Sequence, residues 1–400
     1  MVLPDFFKRW RSLGSVGLLT LGVLYFQTAC VSVPSRDNAL QPLDLPENFS
    51  PSGEQELLPD WWQSFEDPEL NALMKEALQE NFSLRSSWAR LAQAEATLGR
   101  SQSFLFPSLT GSGSVSDTER ENTPGNEGDS YSGSLSASYE VDLWSSIRNS
   151  AEAARLDREA SRENLQAAAI SLTAQLASVY YQLKEQRGQL AILDNQVEIL
   201  SNTLEVIKTR FRRGQVDSLD VFQQERLLEA RKGNRYDVLS RIAVLEHTLA
   251  ILVGREPISA EFTTGAELPD LPAMPNSGIP AKLIQRRPDV RSAYVTLLAA
   301  DRRTAVAVAD QLPVLRLTGS LRSDVREPDL LFDSWVASLA AGLTQPLFDG
   351  GLRREEVKRT RATAEAQLNN YTLTVLTALK EVEDALIQEQ QQIQTITSLR

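Results

Sequence analysis

The chain has 400 residues and a formal net charge of −12, with 42% hydrophobic and 24% charged residues. That acidic balance argues against nucleic-acid binding, which uses a basic face. A single histidine, His247, and a single cysteine, Cys30, cannot build a His-dependent triad, a Cys/His zinc site or a disulfide framework. Only 7% of residues are aromatic, a composition that suits long helices.

Lys8, Arg9 and Arg11 precede an apolar stretch from Val16 to Phe26. That stretch is too short to span a bilayer as a helix, which takes about 20 residues. Thr28-Ala29-Cys30 follows. The segment resembles a bacterial lipoprotein signal, in which residues 1–29 are removed and Cys30 is lipidated. It departs at Gln27, where an aliphatic residue is usual. The alternative is an ordinary secretory signal with a stray cysteine. Residues 30–60 are rich in Pro, Ser, Asn and Asp and read as a tether.

No proline occurs at 69–106, 125–256, 289–312 or after 346. Proline breaks helix interiors, so these stretches are the expected helical regions. A heptad series of apolar residues runs through the longest: Leu165, Ala169, Leu172, Leu176, Val179 and Leu183, then Leu190 to Phe211. Only Gln186 interrupts it. Such a series predicts a coiled-coil helix over about 150–212. Gly214 suits the position just past a helix end, and Asp217 or Ser218 the next N-cap. Helix resumes through 219–252, giving an antiparallel hairpin with a tight tip.

Four stretches alternate with period two. In 131–144 the odd positions are Tyr, Gly, Leu, Ala, Tyr, Val and Leu. The even ones are Ser132, Ser134, Ser136, Ser138, Glu140, Asp142 and Trp144. Residues 314–323 and 334–343 alternate likewise, with Ser338 on the polar side, and 107–118 more weakly. Four strands of this kind match a transmembrane β-barrel wall, or else a half-buried soluble sheet. A barrel needs about eight strands and an open sheet cannot stand in lipid, so a membrane wall requires several chains.

Pro107-Ser-Leu-Thr parallels Pro313-Val-Leu-Arg, and Leu143–Arg148 parallels Phe348–Arg353, at an offset of about 205 residues. The expected organisation is a first repeat over 61–256, a proline-rich connector over 257–288, and a second repeat over 289–400. The repeat also predicts a second tip and a returning helix beyond Arg400. The second repeat is therefore expected to be C-terminally incomplete, and residues 1–400 alone to export little.

These residues carry a resemblance. Trp61-Trp62-x-x-Phe65-x-Asp67-Pro68-x-Leu70, Tyr139-Glu140-Val141-Asp142-Leu143-Trp144, Arg286-Arg287-Pro288-Asp289 and Pro346-Leu347-Phe348-Asp349-Gly350-Gly351 stand in order along the chain. Together they resemble the outer membrane efflux protein family typified by TolC, in its NodT-like lipoprotein branch. The resemblance implies a mainly α fold with a small transmembrane β part. It implies a homotrimer in which each chain gives four strands to one shared barrel. It implies a passive duct for small molecules in an RND-type efflux or export system, with a periplasmic adaptor and an inner-membrane pump as partners. Tip residues Arg212, Arg213, Gly214, Asp217 and Leu219 are expected to face the adaptor. Ser134, Ser136, Ser138 and Ser338 are expected to face the lumen, and Leu135, Tyr139 and Leu339 the lipid.

No enzyme is expected. Leu109-Thr-Gly-Ser-Gly-Ser has no helix after it and is not a phosphate loop. His247 has no second metal ligand nearby in sequence. Glu140 and Asp142 are expected together on the polar strand face. No cofactor follows. Two other classes compete with the duct: a periplasmic adaptor, which has one central hairpin between two β halves, and a structural coiled-coil lipoprotein, which needs no strands.

Overall fold

A computed structural model gives the fold. It describes residues 60–118, 128–258 and 285–399, together with 260–262, 264–269, 272 and 282. The signal, Cys30 and almost all of the tether lie outside the described residues. So does most of the connector. Everything described belongs to one compact unit, Leu45–Arg400.

A 3-10 turn over Trp61–Phe65 leads into α1 (Pro68–Glu80) and α2 (Phe82–Ser103). Two strands follow, β1 (Ser108–Thr118) and β2 (Gly128–Val141). Next come α3 (Ser146–Arg212) and α4 (Ser218–Val253). The second half holds α5 (Pro288–Ala309), β3 (Val314–Val325), β4 (Val336–Thr344) and α6 (Leu352–Leu399).

At 67 residues α3 is roughly 100 Å long, at 1.5 Å per residue. The heptad seam explains it. Every seam position from Leu165 to Ile207 is buried or half-buried, and only Phe211, at the tip, is exposed. Leu228, Val238, Ile242 and Leu249 of α4 supply the opposing row. The interrupting Gln186 is half-buried, and its side-chain oxygen has no hydrogen-bond partner. α5 packs between α3 and α6. Its buried residues are mostly small: Ser292, Ala299, Ala300, Ala307 and Ala309.

One expected helix, 69–105, is two. Asn81 has ψ 124° and ends α1, and its side chain accepts from the Leu84 amide to start α2. Its amide group donates 2.9 Å to the Leu252 carbonyl near the end of α4. The break is thus set by a partner 171 residues away.

The four strands form one antiparallel sheet in the order β1-β2-β3-β4. Register keeps faces together: Leu135 opposes Leu321, which opposes Ala337, and Ser136 opposes Ser320, which opposes Ser338.

Candidate functional site

Three regions could carry function: the sheet with the helix caps at its foot, the hairpin tip, and the joints that tie the helices to one another.

The polar face of the sheet is a run of hydroxyls. Ser112 bonds Ser134 at 2.8 Å, Ser114 bonds Ser132 at 2.7 Å, Ser116 bonds Ser130 at 2.8 Å and Ser320 bonds Ser338 at 2.7 Å. Ser136 donates to the Thr110 carbonyl at 3.5 Å. Ser134, Ser136, Ser138 and Ser338 therefore share one face with Glu140 and Arg316. The other face carries Leu109, Val115, Leu135, Tyr139, Leu317, Leu321, Leu339 and Leu343. Leu339 is 88% exposed, although it lies mid-strand. Among the described residues β1 and β4 pair on one side only.

Asp142 corrects one expectation. It is not on the polar strand face beside Glu140, because β2 ends at Val141. Its carboxylate, almost fully buried, accepts from the amides of Ile147 and Arg148 at 3.1 and 3.0 Å and pairs with the Arg148 side chain. It thereby caps α3, whose free amides attract an anion. Asp349 does the same for α6, accepting from the amides of Gly351 and Arg353 and from the Arg353 guanidinium. Those backbone hydrogen bonds hold its pKa below the usual carboxylate range. The Trp144 indole donates 2.7 Å to the Pro313 carbonyl, tying the exit of β2 to the entry of β3.

The tip reverses within five residues. Gly214 has φ +69° and its amide donates to the Phe211 carbonyl, while Gln215 bonds back to Arg210. Asp217 accepts from Leu219 and Asp220 at 2.8 and 3.1 Å, and Asp220 returns a bond to the Asp217 amide. This capping box starts α4. Arg212, Arg213, Asp217 and Leu219 are all exposed, beside exposed Phe211 and Phe222.

The Trp61–Asp67 motif anchors the hairpin. Trp62 is buried, and Phe65 packs against Tyr181 with ring centroids 5.3 Å apart and planes tilted by 48°. Asp67 caps α1 and accepts from Tyr180 and Lys184 of α3. The Arg287–Asp289 motif anchors the second half. Arg287 is bidentate to Asp289 and bonds Glu381 of α6 at 2.7 Å. The segment around Phe262 was not legible in the sequence. Its carbonyl accepts from Arg187 at 2.7 Å, and its ring lies under Arg255, which is itself bidentate to Glu76.

Among the described residues no group of three His, Cys, Asp or Glu could hold a metal ion. No described helix is long and apolar enough to cross a membrane.

Residues 73–255 and 279–400 match the family model for outer membrane efflux proteins. The chain is 31% identical over 339 residues to the pyoverdine export outer membrane protein OpmQ of Pseudomonas aeruginosa, an alignment covering 82% of this chain and 71% of that protein. It is 28% identical over 386 residues to nodulation protein T of Rhizobium leguminosarum bv. viciae, covering 93% and 78%. Among solved structures, the outer-membrane channel OprN superposes with a TM-score of 0.79 at 27% identity, covering 88% of this chain and 80% of that one. The open MtrE outer membrane channel of Neisseria gonorrhoeae gives 0.78 at 25% identity, covering 89% and 82%. With the fold, the strand alternation and the sequence in agreement, the chain belongs to the outer membrane efflux protein family.

Proposed function

We propose that the protein is the outer-membrane duct of a tripartite efflux or export assembly, working as a homotrimer that passively conducts small molecules handed on by an inner-membrane pump and a periplasmic adaptor. One observation carries this reading: a four-stranded sheet with one apolar face in register and, among the described residues, an unpaired edge on each side, joined directly to the long helix α3 of the hairpin. Lipid contains no partner for unpaired backbone groups, so a sheet in it has to close. Three copies of four strands would close, with the serine face toward the lumen and Leu135, Tyr139 and Leu339 toward lipid. The hairpin then crosses the periplasm and presents Arg212, Arg213, Gly214, Asp217 and Leu219 to the adaptor. Cys30 carries a lipid that anchors the tether. Choice of solute rests with the pump.

The test is expression with the cognate adaptor and pump in an efflux-deficient strain, followed by envelope fractionation and a dye-export assay. The reading expects a trimer in outer-membrane fractions and, for the full-length protein, restored export. A monomer released with the soluble periplasmic proteins would overturn it. Radiolabelled fatty acid should mark the wild type and not Cys30→Ser, and equal labelling would remove the anchor from the account.

A further inference from the structure

The polar face of the sheet is almost uncharged. Among the described strand residues it carries four charges, and each has a partner. Arg316 of β3 donates 3.0 Å to Glu140 of β2, directly opposite it in the register. Arg322 pairs with Asp324 at 2.7 Å on the same strand. Between Arg316 and Arg322 lie Thr318 and Ser320, over roughly 20 Å of strand at about 3.3 Å per residue. Ser138 and Ser136 oppose them on β2, and Ser134 opposes Arg322. The face is thus a hydroxyl sleeve with a balanced charge pair near each end.

We propose that Glu140 and Arg316 set the charge selectivity of the duct, with Glu140 masking Arg316. This rests on the reading above that the serine face lines a shared lumen. Two facts favour a transport role over a packing one. The pair is open to space: Arg316 and Glu140 are 60% and 34% exposed, and exposed ion pairs add little to stability. Both residues also line two clefts at the foot of the sheet, of 570 and 470 Å³. The smaller cleft holds two more charged groups, each engaged elsewhere. Asp310 accepts from the Ser146 hydroxyl at 3.0 Å, and Arg353 pairs with Asp349 at 3.1 Å. The Ser146 hydroxyl leaves the charge of Asp310 in place, but among the described residues the carboxylate within ion-pair distance of Arg316 is that of Glu140. In a trimer the foot of the lumen carries three such pairs. A low-dielectric passage lined by charge of one sign concentrates ions of the other sign. The paired state keeps Arg316 from imposing such a bias.

The experiment is single-channel recording of the purified full protein in planar bilayers under a KCl gradient. Wild type, Glu140→Gln, Arg316→Gln and the double variant are compared. Glu140→Gln unmasks three guanidinium groups and should raise the chloride-to-potassium permeability ratio several-fold. Arg316→Gln should lower it several-fold, and the double variant should return near the wild-type value. Opposite reversal-potential shifts that cancel in the double variant are a signature that loss of packing does not produce. Conducting variants whose reversal potentials match the wild type overturn the inference and leave the duct intact. A wild-type protein that never conducts overturns the duct itself. If one single variant fails to assemble, the other single and the double still decide the matter.

Discussion

The hydroxyl of Tyr180 is shared between both carboxylate oxygens of Asp67, at 3.0 and 2.9 Å, across 113 residues of sequence. Lys184 adds a third link at 2.9 Å. Both Asp67 and Lys184 are only about a tenth exposed. One carboxylate therefore starts α1 and fastens it to the middle of α3. Removing it leaves a nearly buried ammonium without its partner. Asp67→Ala should cost about 3–5 kcal/mol, the range for breaking a buried pair from one side. Tyr180→Phe, which leaves Lys184 and the capping amides in place, should cost about 1 kcal/mol. Denaturant unfolding of the detergent-solubilised protein measures both, and equal effects would contradict the shared-anchor account.

The same carboxylate gives a pH dependence. Burial pushes Asp67 toward protonation, but hydrogen bonds from Lys184, the Leu70 amide and Tyr180 outweigh it, so its pKa lies below the usual range. Asp289 is lowered likewise, with Arg287 outweighing burial. A depressed carboxylate contributes stability that is fully present above its unfolded pKa, near 3.9, and is lost as pH falls through the folded value. Asn keeps the capping oxygen without the charge. The stability gap between wild type and Asp67→Asn should therefore be constant from about pH 5 to 7 and shrink below about pH 4. A gap that persists at pH 2 would contradict this.

Two glycines with positive φ should respond differently. Gly254 (φ +85°) ends α4 so close to α1 that a Cβ would sit 2.6 Å from the Glu80 carbonyl oxygen. Gly214 (φ +69°) has nothing within 4 Å. Gly214→Ala should cost only the left-handed backbone strain, about 1–2 kcal/mol. Gly254→Ala should cost more, because backbone must move. The bulkier Gly214→Val should distort the tip, leaving the trimer assembled and dye export lost. Normal export from that variant would remove the tip from adaptor docking.

Leu135 and Ser136 are sequence neighbours on opposite faces of β2. Leu135→Arg should cost up to about 2–4 kcal/mol of barrel stability if it faces the bilayer midplane, and Ser136→Arg far less. Unfolding from lipid vesicles in denaturant measures the difference. Equal costs would mean that the assignment of faces is wrong.

What was legible in the sequence was what depends on local period and local caps. The heptads mark α3, Gly214 and Asp217 mark its turn, and serine alternation marks β2. Distant partners were not legible. Asn81 reads as a mid-helix residue until the Leu252 carbonyl is placed beside it. Asp142 continues the alternation of β2, yet the free amides of α3 take it off the strand. Gly133 looks like a weak strand residue. Leu331 and Trp335, distant in sequence, pack over it at ordinary contact distance, 3.7 and 3.8 Å from where a Cβ would stand. The strands of the sheet could be read from sequence, but the partners of its edges could not.

The central claim is that β4 of one chain pairs with β1 of the next. Cysteine pairs placed across those edges in intact cells test it most directly. Thr110→Cys, Ser112→Cys and Ser114→Cys would each be combined with Ala340→Cys, treated with a short bifunctional thiol crosslinker, and compared with the single-cysteine variants. The account predicts covalent trimers in the outer-membrane fraction for at least one pair, and none from the single variants. Protein that folds into the outer membrane yet stays monomeric with every pair would contradict it.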